Sequence, residues 1–237
     1  MKFGTIILSC EHGGKRVPAA YTYLFKTAKA QAALNSHRGW DIGALDVAKR
    51  LAHLLGLPLF AHNITRLLVD PNRSFGHPNL FSEFSKGLSL SDRKKVLDSC
   101  YHPHRTQLEA SLSAALRKNG TLLHIAVHSF TPVLDGEKRR ADLALLYDPR
   151  RQPEKTLCLL WQNNLSALAP DLRIRRNTPY RGNADGLTTA LRRRHDARRY
   201  LGIEIEINQA LLLNGIGEKK KIADLIAQSL LELKRHL

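Results

Sequence analysis

Three stretches of this chain constrain its fold more than anything else in it: "FGTIILS" from Phe3 to Ser9, "LLHIAVHSF" from Leu122 to Phe130, and "LGIEIEINQ" from Leu201 to Gln209. The first two are apolar runs of strand length and the third alternates apolar with polar residues, and the helix-spaced segments that separate them imply a sheet covered on both faces. "DIGALDVAKRLAHLL", Asp41 to Leu55, has apolar residues at helical spacing and ends at Gly56. "PLFAHNI" and "LLVD" suggest short strands, and "PNRSFGHPNLFSEFSKG", Pro71 to Gly87, a long loop of the kind that carries function. Helices are expected from about Ser91, where a serine can cap, and from Pro103 to Lys118. After "LLHIAVHSF" the pattern repeats. "ADLALLY" is a strand, Glu154 to Leu168 a helix, "LRIRR" a strand, Thr188 to Arg199 a basic helix, and an amphipathic helix from about Gly217 closes the chain. The expectation is a single α/β domain over residues 1–237, with a central mixed, mostly parallel sheet and helices on both faces.

Composition excludes two classes. With 43% hydrophobic residues and no long apolar run, the chain fits neither a disordered protein nor a membrane-spanning one. The N-terminal "MKFGTIILSCEHGG" lacks the length and small-residue cleavage site of a secretory signal, so a cytoplasmic location is the default expectation. Cys10, Cys100 and Cys158 are odd in number and widely spaced, which implies reduced and mostly buried thiols. The formal charge of +16 would attract nucleic acid, anionic membranes or acidic metabolites. That excess is dispersed through the second half of the chain, and no RNP strand, zinc finger or basic-region heptad accompanies it.

Chemistry-bearing residues gather at predicted strand ends. His12 follows the first strand beside Gly13 and Gly14, Asn72 and Arg73 follow "LLVD", and His128 and Ser129 follow "LLHIAV". On the last strand Glu204 and Glu206 share one face, opposite Ile203, Ile205 and Ile207. Two histidines and a carboxylate suit zinc, with a further glutamate as general base. Each piece also fits a plainer account: a polar turn for His12, and an amphipathic edge strand for the glutamates. The other histidines, His37, His53, His62, His77, His102, His104, His124, His195 and His236, have no comparable context.

In order along the chain, "SCEHGGKRVP", "WDIGA", "VDPNRS", "HSFTPVLDG", "ADLALLYDP", "NTPYRGNADGLT" and "YLGIEIEINQALL" resemble the N-formylglutamate amidohydrolase family. The resemblance spans Ser9 to Leu212. It implies a fold and site plan like the zinc carboxypeptidases and aspartoacylases, a single Zn2+, and hydrolysis of the amide of a small, carboxylate-bearing N-acyl amino acid. N-formyl-L-glutamate is the reference substrate. Carried over residue by residue, the resemblance implies metal binding by His12 and His128. Lys15 occupies the place where carboxypeptidases have their glutamate ligand, so Asp41 is the preferred third ligand and Glu11 the alternative; Asp41 could instead cap a helix. Glu206 is the implied general base acting on a metal-activated water, with Glu204 the competing choice. Asn72, Arg73 and Arg181 are the implied carboxylate contacts, with Arg66 a further anion contact and Tyr180 a residue facing the pocket. Rival readings are a related amidase or peptidase of different substrate, and a basic nucleic-acid-binding protein on the same scaffold.

Overall fold

The computed structural model describes residues 3–118 and 120–235; His236 lies outside them. Its elements, in chain order, are β1 (Phe3–Cys10), α1 (Ala28–Leu34), α2 (Ala44–Leu55), β2 (Leu59–Ala61), α3 (Leu90–Val96), α4 (His102–Arg117), β3 (Thr121–Phe130), β4 (Val133–Leu134), β5 (Glu137–Lys138), β6 (Leu143–Leu146), α5 (Gln152–Leu168), β7 (Ile174–Arg176), α6 (Leu187–Arg192), β8 (Tyr200–Asn208) and α7 (Ile216–Arg235). Six strands form one sheet in the order β2-β1-β3-β8-β6-β7, while β4 and β5 make a separate two-stranded ribbon. The strands β2, β1, β3 and β8 run parallel. Only β6 opposes its neighbour β8, and β7 follows β6 in parallel, so the sheet is mixed and mostly parallel as expected.

Chain order reverses beside β1, since β2 lies on one side of it and β3 on the other. Open α/β sheets leave a crevice at such a point, beyond the carboxyl ends of the strands. His12, His128 and Glu206 all fall at that end.

Side-chain alternation divides the sheet into two unlike faces. Leu8, Cys10, Leu123, Ile125, Val127, Ile203, Ile205 and Ile207 pack in one apolar core with residues of α2, α5 and α7. The opposite face is covered by α4 and α6, whose Leu108, Leu112, Leu187 and Leu191 pack on Ile7, Leu122 and Tyr200. This second face carries polar groups as well. Ser9 Oγ lies 2.7 Å from His124 Nε2, and the Tyr200 hydroxyl lies 2.8 Å from His124 Nδ1, so both ring nitrogens of a fully buried histidine are satisfied. Burial pushes His124 down to about 4 and keeps it neutral. A third apolar cluster, including Phe25, Leu67, Leu68 and Tyr101, lies under the long loop.

Several sequence expectations need correction. "LLVD" is not a strand: Leu68 N bonds to Thr65 O in a turn and Asp70 N bonds to Leu80 O, so its backbone is satisfied by the loop rather than by a ladder. The basic helix stops at Arg192, well short of Arg199, because Asp196 takes the following chain into turns, accepting from Arg198 N and, through its carbonyl, from Arg199 N. The helix expected from Ser91 starts at Leu90, capped by Ser89, whose hydroxyl accepts from Asp92 N. The helix expected from Asp41 starts at Ala44 with Gly43 as its cap, at φ 81°, so Asp41 is not the capping residue. The three cysteines are buried and free. Among the described residues no helix is long and apolar enough to cross a membrane.

His124 links the buried polar layer to acid stability. Its folded pKa, about 4, lies below the ordinary 6.5, so the neutral ring's contribution is intact above pH 6.5 and is lost as pH falls toward 4. The melting temperature should decline across that window, and His124→Gln should flatten the decline. Thermal unfolding followed by circular dichroism measures both slopes; equal slopes would remove His124 from the account.

Candidate active site

The loop after β1 turns sharply against the chain that follows β2. A Cβ on Gly14 would stand 2.6 Å from the Asn63 carbonyl oxygen, and one on Gly13 would stand 3.1 Å from that of His62. These glycines serve close backbone approach rather than an unusual φ. The same loop is tied to the start of α2 by Asp41 N donating to His12 O at 2.9 Å. His12 and Asp41 are thereby held together across a sequence gap that local structure does not bridge.

Their side chains meet that of His128. Asp41 Oδ2 lies 2.9 Å from His128 Nδ1 and 3.6 Å from His12 Nδ1, and the Arg66 guanidinium bonds Asp41 Oδ1. Ser129 N donates to Asp41 Oδ2 at 3.3 Å. One ligand atom from each of His12, Asp41 and His128 lies within 4.8 Å of the others, and all three residues are buried. Among the described residues His12 Nδ1 has no hydrogen-bond partner, although it is buried. An orphaned imidazole nitrogen beside a carboxylate and a second imidazole is a donor set that fits a divalent metal such as zinc.

The far sides of both imidazoles face carboxylates. His12 Nε2 lies 2.7 Å from Asp70 Oδ1, and His128 Nε2 lies 3.0 Å from Glu11 Oε2. Glu11, the alternative third ligand, therefore stands behind His128, on the opposite side of that ring from Asp41. Burial alone would raise all three acids, but charged neighbours reverse it. Arg66 and His12 hold Asp41 well below the usual carboxylate range, and His12 and Arg66 bring Asp70 down to about 2. His104 and His128 likewise keep Glu11 well below it.

Glu206 behaves oppositely. It stands opposite His128 in the parallel register of β3 and β8, which puts both side chains on one face of the sheet. Burial, opposed by His128 and assisted by Asp41 and Glu204, pushes its carboxyl up to about 8. Its Oε2 is buried and has no hydrogen-bond partner among the described residues. Glu204 also lines the cleft, but its carboxylate is taken by the Thr188 hydroxyl.

These groups open into a cleft of about 230 Å³ that also takes in Asn72, Arg73, Arg181 and Tyr180. The backbone of the Pro71–Arg73 turn is clamped from α4 and the residue just before it: Arg105 Nη1 donates to Pro71 O, and the Tyr101 hydroxyl donates to Arg73 O at 2.8 Å. Asn72 Oδ1 accepts from Leu187 N at the start of α6, and Arg73 Nη1 donates to Asp185 O at 3.2 Å. Arg181 is exposed at the rim. Tyr180 receives a hydrogen bond from Arg139, whose guanidinium also stacks over its ring.

The structure thus brings His12, Asp41, His128, Glu206, Asn72, Arg73 and Arg181 into one cleft. Sequence reasoning gave Asp70 no role, although it stands in the quoted "VDPNRS", two residues before Asn72. His62 and His104 carried no signal at all. They are buried, with ring centroids 5.3 Å apart, and burial together with His104 pushes His62 down to about 3.

The folded pKa of Glu206 lies above the ordinary 4.5, so its contribution to stability is intact below that value and is lost as pH rises through about 8. Glutamine does not titrate. In metal-free protein Glu206→Gln should therefore gain stability relative to wild type between pH 5 and pH 9, read from urea denaturation midpoints at the two pH values. A difference that does not change with pH would contradict the buried, poorly solvated carboxyl.

Comparison with known proteins identifies the family and the fold. The family model described as N-formylglutamate amidohydrolase matches residues 4–213. Among solved structures, a gene product of Agrobacterium tumefaciens is similar at 26% identity and a TM-score of 0.76, over 98% of this chain and 92% of its own. An N-formylglutamate amidohydrolase from Ralstonia eutropha shares the fold at 17% identity and a TM-score of 0.73, over 100% of this chain and 96% of its own. No curated protein matches the sequence.

Proposed function

We propose, because this chain belongs to the N-formylglutamate amidohydrolase family, that it hydrolyses the amide of small N-acyl amino acids bearing a carboxylate, with N-formyl-L-glutamate as the reference substrate. The chain is an amidohydrolase by family; the metal, the base and the substrate contacts are our reading of the cleft. One observation carries it: two histidines and an aspartate converge beneath a buried glutamate at the carboxyl ends of adjacent parallel strands.

His12, Asp41 and His128 would hold Zn2+, through the Nδ1 atoms that face Asp41 Oδ2, three protein ligands leaving a position open. Bound there, the metal would acidify a water and polarise the scissile carbonyl. Glu206 takes a proton from the attacking water as its oxygen bonds to the carbonyl carbon, and returns it to the amine nitrogen as the C–N bond breaks. Burial raises its pKa to about 8, which suits the return of the proton, and a cation bound beside it would favour the ionised form that takes the proton up. Glu204 is the weaker choice for base because Thr188 already occupies it. Arg73 and the carboxamide nitrogen of Asn72 bind one substrate carboxylate, and Arg181 at the rim meets a second.

Hydrolysis of a panel of N-formyl and N-acetyl amino acids by zinc-loaded protein, followed by amine release, tests the substrate class. Acidic N-formyl amino acids should be preferred; equal turnover of apolar ones would move the substrate elsewhere. His12→Ala and His128→Ala should each lose zinc with the fold retained, by metal analysis beside circular dichroism, and Asp41→Asn should weaken binding less. Glu206→Gln should keep zinc while kcat falls by about 10²- to 10⁴-fold. Arg73→Lys keeps the charge but loses the paired geometry, so KM should rise with kcat little changed; an unaltered KM would make the "NR" turn purely structural.

A further inference from the structure

Glu11 is fully buried, and among the described residues neither of its oxygens has an aligned hydrogen-bond donor. An ionised carboxylate removed from water in this way is strongly disfavoured, so such a group requires a compensating partner. Among the described residues the basic groups that approach it are imidazoles: His128 Nε2 at 3.0 Å from Oε2 and His104 Nε2 at 3.8 Å from Oε1. His128 Nε2 and His104 Nε2 are themselves buried without an aligned partner. The position follows from the sheet. Glu11 extends the alternation of Ile7 and Ser9 past the end of β1, on the face that carries His124 and His128.

We infer that Glu11 is a positioning residue for His128: it accepts the proton on Nε2 and so leaves the Nδ1 lone pair aimed at the metal position beside Asp41 and His12. The inference rests on the metal reading given above. A neutral imidazole carries one ring proton, and whichever nitrogen is bonded to an acceptor keeps it. With the proton held at Nε2, Nδ1 is a ligand; with the proton at Nδ1, it is not. Outer carboxylates of this kind fix the ring orientation of metal-bound histidines and raise their basicity. His104 approaches the other Glu11 oxygen, and the His62 ring backs His104, so the carboxylate has imidazoles on both sides. This accounts for Glu11 standing next to His12 in sequence while pointing away from the cleft: consecutive side chains serve the two sides of the His128 ring.

The test begins with wild type. Zinc-loaded protein labelled with ¹⁵N at histidine should show His128 protonated at Nε2 and metal-bound at Nδ1. The opposite assignment, with Nε2 on the metal, would overturn the proposal and make Glu11 a candidate ligand. Glu11→Leu removes the acceptor at similar volume and should weaken zinc affinity by about 10- to 100-fold in a chelator competition. Glu11→Gln restores an acceptor oxygen and should recover part of that loss, which a merely structural role would not produce. Unchanged affinity in Glu11→Leu, or equal losses in both variants, would overturn the proposal while leaving the zinc site standing. Failure of wild type to bind zinc would overturn both. Should Glu11→Leu not fold, the wild-type nitrogen assignment decides alone.

Discussion

The cleft depends on the Asp41 carboxylate, buried where three elements converge. It takes the Arg66 guanidinium on one oxygen, and His128 and the Ser129 amide on the other, while its own backbone amide reaches back to His12. A carboxylate removed from water to this degree persists only if charge and hydrogen bonds surround it. Meeting that requirement fixes the loop after β1, the approach to α2 and the end of β3 relative to one another. The late start of α2 follows: an Asp41 that capped the helix could not also join the two histidines.

Electrostatics inside the cleft are divided with a chemical consequence. Asp41, Asp70 and Glu11 are held ionised by the arginine and imidazole groups beside them, whereas Glu206, on the same sheet face as His128, is held toward its protonated form by burial. Carboxyls whose environments push them apart in this way can be assigned different duties, fixed anions on one side and a proton carrier on the other. The apolar face of the sheet makes this affordable in structural terms. With the isoleucines of β8 and the leucines of β1 and β3 buried against α2, α5 and α7, the other face can carry His124, His128, Glu204 and Glu206 without leaving the sheet short of core.

The long apolar strands were legible because alternation and strand length survive in any context: β1, β3 and β8 lie where their sequences predict, and the same alternation put Glu204 and Glu206 on a shared face. Short elements were not. "LLVD" has the composition of a strand but the hydrogen bonds of a turn, and the basic run after Thr188 has helical residues but is claimed by Asp196. Propensity over so few residues is weaker than the tertiary partners available to the backbone.

By itself the sequence determined that the chain would build a mixed α/β sheet, and which residue types would arrive at its strand ends, because periodicity and motif order are properties of the chain. It also distinguished His12 and His128 from the other histidines. Tertiary structure decided what those residues face. That Asp41 faces both histidines while Glu11 stands behind His128, that Thr188 bonds Glu204 and not Glu206, and that Asp70, His62 and His104 pack around them all turn on distances between segments far apart in sequence. Such distances are set by strand register and loop closure, and no local pattern encodes them.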